Sequence, residues 1–200
     1  MKARESGMPP EDAWSAFFDP AGILAQFLQP NSRETIAEFG SGYGTFALPA
    51  AQLTRGAVHA FDIESPLVSL VRQRARDSGL ANLRAELRDF VATGTGLPDA
   101  GIDHAMLYNI LHLEEPLALL REAHRILKPG GHLSIIHWNY DPATPRGPPL
   151  AIRPRPGQCR AWAESAGFVF VRDADFSRCA PHHYGLLLQH PARPRATADR

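Results

Sequence analysis

The sequence predicts an α/β fold: a doubly wound, mostly parallel sheet of seven strands, with helices on both faces and the last strand antiparallel. Three observations predict it. Short apolar runs alternate with longer amphipathic stretches from residue 35 onward, the rhythm of strand, helix, strand. A glycine-rich turn follows the first apolar run, at the point where open sheets of this kind bind ligands. The last two strands are joined only by "SRCAP", too short for a parallel crossover, so the final strand runs antiparallel to its neighbour.

The elements follow in order. Residues 1–30 read as an N-terminal helical cap: "SGMPPEDAWSAFFDPAGILAQFL" is amphipathic, and its aromatics Trp14, Phe17 and Phe18 either pack on the domain or close a lid over an acceptor site. Residues 31–190 form the main domain, and 191–200 a polar, proline-containing tail expected to fray. "TIAEF" is the first strand and "TFALPAAQL" the helix after the glycines; "GAVHAFDI" is the second strand. "SPLVSLVRQRARDSGL" is a helix with Ser65 at its N-cap, Pro66 in the first turn, Leu67, Leu70 and Val71 on one face, and Gly79 at its end. "NLRAELRDF" and "GIDHAMLYNI" supply the third and fourth strands. "EPLALLREAHRILKPGG" is a helix with Leu117, Leu120 and Leu127 on one stripe and Pro129-Gly130-Gly131 as its stop. "GHLSIIHW" is the fifth strand. A helix around "QCRAWAESAG" and the strands "FVFVRDADF" and "HHYGLLLQH" complete the chain.

Composition bounds the function. Two hundred residues suit one domain that buries about 70% of its unfolded surface. The 21 basic and 21 acidic residues balance, so no overall field draws in nucleic acid or an anionic membrane. Cys159 and Cys179 make no disulfide framework. The first residues lack the apolar core of a signal peptide and no run approaches a membrane span, so a cytoplasmic location is expected. Six of the 18 prolines fall between Pro142 and Pro156, which marks a long, stiff connection.

The turn Gly40-Ser41-Gly42-Tyr43-Gly44 admits several ligands. A dinucleotide fingerprint needs its third glycine at 45, where Thr45 stands, and a phosphate-binding P-loop needs a Lys-Ser/Thr pair that is missing. The acid-x-G-x-G-x-G pattern from Glu38 leaves bare backbone that either packs against a cofactor or only makes a tight turn. Asp62 ends the second strand, 18 residues after Gly44, where a carboxylate can accept from both hydroxyls of a ribose; a helix-capping acid is the other reading. Asp89 ends the third strand and can take a hydrogen bond from an adenine amino group while Phe90 covers the ring, or it is a turn acid.

Together these residues resemble the class I S-adenosylmethionine-dependent methyltransferases, in particular small proteins of the type 11 methyltransferase-domain family. The resemblance rests on "IAEFGSGYG", "VHAFDIES", "LRDF", "IDHAMLYNILHLEEP" and "ILKPGGHLSIIHW", in that order, over residues 31–139. It implies a Rossmann-like fold, S-adenosyl-L-methionine as cofactor and S-adenosyl-L-homocysteine as product. It implies that Glu38 and Gly40, Ser41, Gly42, Tyr43 and Gly44 hold the methionine end, Asp62 and Ile63 the ribose, Asp89 and Phe90 the adenine, and that Asn109 lines the cofactor and the mouth of the substrate site.

The sulfonium methyl of such a cofactor is already electrophilic, so the protein's task is to hold a nucleophile in line with it, aided by a general base where the nucleophile carries a proton. His112 and His137 follow the fourth strand and end the fifth, at the carboxyl edge, and are the candidate catalytic residues. His183 and Tyr184 come to the same edge and, with Arg153 and Arg155 of the proline-rich loop, are candidates to contact an anionic small-molecule acceptor. These histidines and Cys179 have no recognisable zinc spacing, and the sequence predicts no metal. "YNIL" stands where base methylating enzymes carry a proline pair, which disfavours nucleic acid as acceptor. A binding protein that keeps the fold and the cofactor crevice without turnover is the alternative. Neither the acceptor atom nor the oligomeric state is legible.

Overall fold

The computed structural model describes residues 10–192. Seven strands form one sheet: β1 (Ile36–Phe39), β2 (Val58–Asp62), β3 (Leu83–Leu87), β4 (Ile102–Tyr108), β5 (Leu127–Trp138), β6 (Val169–Ala174) and β7 (His183–Gln189). Their order is β3-β2-β1-β4-β5-β7-β6. The first five are parallel, and β7 lies antiparallel between β5 and β6. The order reverses between β1 and β4, which creates the crevice where ligands of doubly wound sheets sit.

Both faces of the sheet are covered. Every residue of β1 and β2 is buried, as expected for central parallel strands. Ile36, Val58, Ala60, Met106, Tyr108 and Ile136 face one core, shared with helices α3 (Ala47–Leu53) and α4 (Ser65–Asp77). Ala37, Phe39, Phe61, Ala105, Leu107 and Ile135 face the other, under α6 (Pro116–Ile126) and α7 (Pro156–Ser165). The alternation along each strand is the period-two pattern of side chains. Two short N-terminal helices, α1 (Glu11–Ser15) and α2 (Pro20–Leu24), one turn, α5 (Phe90–Thr93), and a 3-10 turn at Leu150–Ile152 complete the helical set among the described residues. Among the described residues no helix is long and apolar enough to cross a membrane.

Local expectations were refined at helix ends. Glu64, not Ser65, is the N-cap of α4, and Pro66 sits within the first turn; Leu67, Val68, Val71 and Ala75 form its buried face. Gly79 follows in the left-handed region at φ 67°, as a helix terminator should. Helix α6 ends at Ile126, and Leu127 is the first residue of β5. The chain therefore leaves the helix before Pro129-Gly130-Gly131, which extend the strand rather than stop the helix.

Candidate active site

The glycine turn is built by its backbone. Gly40, Gly42 and Gly44 all have positive φ, at 77°, 52° and 80°, the region that L side chains rarely adopt. A Cβ on Gly40 would stand 2.8 Å from Ile110 Cδ1, across the crevice between β1 and β4. The N–H groups of Gly40 and Ser41 both donate to the Phe61 carbonyl at 2.9 Å, so the turn is fastened to β2.

Asp62, at the end of β2, accepts from the Gly42 N–H (2.8 Å) and from the Glu64 N–H (2.9 Å). It thus joins the glycine turn to the start of α4 and still keeps lone pairs on each oxygen. Glu38 is 1% exposed. Its Oε2 has no hydrogen-bond partner among the described residues, and burial, then the nearby Asp62 charge, push its carboxyl well above the ordinary range. Ser41 Oγ and both side-chain polar atoms of Asn109 are likewise buried without partners. Asn109 adopts φ 54° while its N–H donates to the Ile136 carbonyl at 2.7 Å. Buried polar groups are normally paired. Orphaned ones gathered around one crevice are the mark of a site whose partners come from a ligand.

Asp89 caps α5, its Oδ1 accepting from the Ala92 N–H at 3.1 Å. Ile63, next to Asp62 in the chain, is half-buried at the tip of β2. Phe90 departs from expectation. Its ring turns into the core, 3% exposed and packing edge-to-face on Phe39 at 5.6 Å, where burial of an aromatic ring is favourable.

His112 and His137 meet, with Nδ1 of His112 3.3 Å from Nε2 of His137. His137 is fully buried and His112 half-buried. Burial lowers both pKa values, and in His137 the neighbouring His112 lowers it further. His183 lies across from Trp138 in the β5–β7 register, with its ring tilted against those of Trp138 (4.0 Å) and Phe18 (4.6 Å). Its pKa falls to about 3 through burial, so it remains neutral.

Two substrate candidates are occupied by the protein itself. The Arg153 guanidinium is buried and donates to the carbonyls of Asn139 (2.8 Å), Arg146 (3.2 Å) and Pro148 (2.9 and 3.1 Å). It clamps the proline-rich loop from within and does not offer itself to an anion. Six prolines deprive that loop of N–H donors, so its carbonyls find their donor in one arginine. Arg153→Ala should therefore cost about 2–3 kcal/mol of stability by orphaning these carbonyls, read as a lowered urea midpoint. Tyr184 donates its hydroxyl to the Pro154 carbonyl at 3.0 Å and contacts Cys159 Sγ at 3.2 Å, fixing the loop to α7. Arg155 is exposed and stacks on Tyr140 at 3.7 Å.

The N-terminal helix packs beside the turn. Glu11 pairs with Arg74 of α4 through both oxygens (2.5 and 2.8 Å), and Arg74 also donates to the Tyr43 carbonyl at 3.0 Å. Trp14 donates to Thr45 Oγ1 at 3.0 Å. Phe17 meets Trp138 at 5.2 Å and Phe18 meets Phe46 at 5.4 Å. The partners lie far apart in the chain, so only the aromatic residues themselves were visible in advance.

A family profile described as the methyltransferase domain matches residues 37–135, which span the glycine turn, Asp62, Asp89, Asn109 and His112. The chain belongs to the methyltransferase-domain family. Within that family, it is 32% identical over 110 residues to a ubiquinone/menaquinone biosynthesis C-methyltransferase of Bartonella quintana, covering 52% of this chain and 41% of the relative. The chain thus spans about two fifths of the length of the curated relatives it matches. A methyltransferase-domain structure from Aquifex aeolicus, a SAM-dependent methyltransferase, superposes with a TM-score of 0.78 at 23% identity, covering 92% of this chain and 99% of that one. Geranyl diphosphate C-methyltransferase from Streptomyces coelicolor, solved with S-adenosyl-L-homocysteine, gives 0.70 at 12% identity, covering 90% and 76%. At these identities the structures establish the shared seven-stranded Rossmann-like fold.

Proposed function

We propose that this methyltransferase-domain protein binds S-adenosyl-L-methionine and transfers its methyl group to a small-molecule acceptor by in-line displacement. The observation that carries the reading is the set of buried, unpartnered polar atoms, Glu38 Oε2, Ser41 Oγ and both ends of the Asn109 amide, gathered about the glycine turn at the switch point of the sheet.

Glu38 receives the ammonium of the methionine end, and the glycine turn admits that end against bare backbone. Asp62, already oriented by two backbone N–H groups, accepts from the ribose hydroxyls beside Ile63, and Asp89 accepts from the adenine amino group. When bound, the cofactor supplies an electrophilic methyl group. The residues then align and deprotonate the acceptor. With His137 Nε2 accepting from His112 Nδ1–H, the His112 Nε2 lone pair is free to take the acceptor's proton, and the buried His137 positions that ring. Arg155, the loop arginine that Tyr140 holds at the surface, meets an anionic group on the acceptor. Balanced charge fits a small molecule better than nucleic acid.

Calorimetry with S-adenosyl-L-methionine, S-adenosyl-L-homocysteine and NAD tests the reading. Binding of the first two and not the third is expected, and binding of NAD alone overturns it. Cofactor binding with no turnover over a broad acceptor panel would favour a binding protein of the same fold. Asp62→Ala should weaken S-adenosyl-L-homocysteine binding by about 1.5–3 kcal/mol, the scale of charge-assisted hydrogen bonds; an unchanged affinity would mean that the ribose lies elsewhere.

A further inference from the structure

At the opposite end of the sheet, three neighbouring strands bring two histidines and a glutamate together. His104 on β4 is in register with Ile36 of β1 on one side and with His132 of β5 on the other. Glu34 precedes Ile36 by two residues and so shares its face. Each of Glu34, His104 and His132 offers a ligand atom, and these atoms all lie within 4.8 Å of one another. None of the three belongs to the glycine turn or to the His112–His137 pair.

His104 is fully buried. Its Nε2 lies 2.8 Å from Ser134 Oγ, which in turn contacts the Tyr108 hydroxyl at 2.8 Å and donates to the Ala105 carbonyl at 3.5 Å. Ser134, itself held by Tyr108, therefore fixes the ring through Nε2; with the Ser134 hydroxyl donating to Ala105, the proton sits on Nε2 and Nδ1 carries the lone pair. Nδ1 is buried and has no hydrogen-bond partner among the described residues. Glu34 is steadied in the same way, accepting from Ser32 Oγ at 3.1 Å. A histidine held through one nitrogen with the other unengaged is the arrangement that orients imidazole toward a metal. His132 and Glu34 are both partly exposed, which leaves a route in from solvent and room for side-chain movement.

We propose that Glu34, His104 through Nδ1, and His132 bind a divalent transition-metal ion of the zinc class, tying β1, β4 and β5 together at the amino edge of the sheet. Two imidazoles and a carboxylate suit zinc, nickel or copper rather than magnesium or calcium, and three protein ligands leave a position for water. Metal–ligand bonds of about 2.0–2.1 Å place ligand atoms roughly 3.4 Å apart, so closure needs only rotation of the two partly exposed side chains. The ligands come from β4, β5 and the segment leading into β1, which are brought together only by folding, so the ion binds the native chain in preference to the unfolded one and raises its melting temperature.

The test uses the full chain without an affinity tag, first stripped with a chelator. Zinc chloride is titrated by calorimetry, cobalt(II) is added for its visible absorption bands, and melting is followed with and without zinc. One-to-one binding, cobalt bands of a low-coordinate site and a zinc-dependent rise in melting temperature are expected. His132→Asn and Glu34→Gln should each weaken zinc binding by on the order of 100-fold or more and remove the rise, while the metal-free variants melt as the wild type does. His112→Asn controls for the histidines at the other edge and should leave zinc binding intact. Absence of saturable binding in the micromolar range overturns the site. So does binding that survives both amino-edge substitutions, or that disappears with His112→Asn.

Discussion

Replacing His112 with alanine is expected to lower turnover by about 100- to 10,000-fold, the range of positioned general bases, with affinity for S-adenosyl-L-homocysteine unchanged. The split follows from the geometry. In the binding mode proposed above, Glu38, Asp62 and the glycine turn hold the cofactor without His112, whereas His112 is the half-exposed member of a pair whose other member is fully buried. The pair should also shape the pH profile. Burial lowers both pKa values from 6.5, so the base stays unprotonated as the medium is acidified through neutrality, and kcat/KM should hold level until below pH 6.5. Stability moves with the same groups. His112, His137 and His183 all have folded pKa values below the unfolded one, so the unfolded chain binds more protons beneath pH 6.5 and the fold weakens as pH falls from there. His137→Gln separates positioning from proton transfer: it should lower kcat and leave KM for the acceptor nearly unchanged. Full turnover in His112→Ala would remove the pair from the chemistry and point to an acceptor that arrives already deprotonated.

What the sequence disclosed, and what it did not, divides by range. The sheet was legible because β1, β2 and β4 are each bounded by turn signals and because "SRCAP" leaves no room for a crossover, and β7 does run antiparallel between β5 and β6. The glycine turn and Asp62 were legible because a single strand-to-helix transition carries the whole pattern, and backbone hydrogen bonds fasten them together. Side-chain fate was harder. Phe90 follows Asp89 at a strand tip, and nothing local says whether its ring turns outward or joins Phe39 in the core. Arg153 looked like an anion receptor for the very reason that makes it a clamp: a proline-rich loop lacks N–H donors, and its carbonyls at 139, 146 and 148 draw the guanidinium inward. The Glu11–Arg74 pair and the row of Glu34, His104 and His132 depend on strand and helix register over long separations, which a one-dimensional pattern does not carry.

Glu38→Gln is expected to move stability and binding in opposite directions. In the free protein the Glu38 carboxyl is buried, one oxygen has no partner, and Asp62 stands near it, all of which raise its pKa well above 4.5. Between 4.5 and that raised value the unfolded chain has lost a proton that the folded chain keeps, so stability falls as pH rises across the window. Glutamine carries no proton to lose. The variant should therefore match the wild type at low pH and become progressively more stable than it above pH 4.5, as followed by denaturant melts at several pH values. Binding should suffer. With the methionine ammonium set against Glu38, as proposed above, the amide leaves a buried cation unpaired, a loss of about 3–5 kcal/mol. Because the wild-type carboxyl must give up its proton to receive that ammonium, cofactor binding should release a proton. Calorimetry in buffers of different ionisation enthalpy reads that proton directly, and Glu38→Gln should abolish its release. A variant that binds as tightly as the wild type, or a wild type that binds with no proton released at a pH below the raised value, would place the ammonium away from Glu38. A buried carboxylate that weakens the empty fold is accounted for by a cation that completes it on binding.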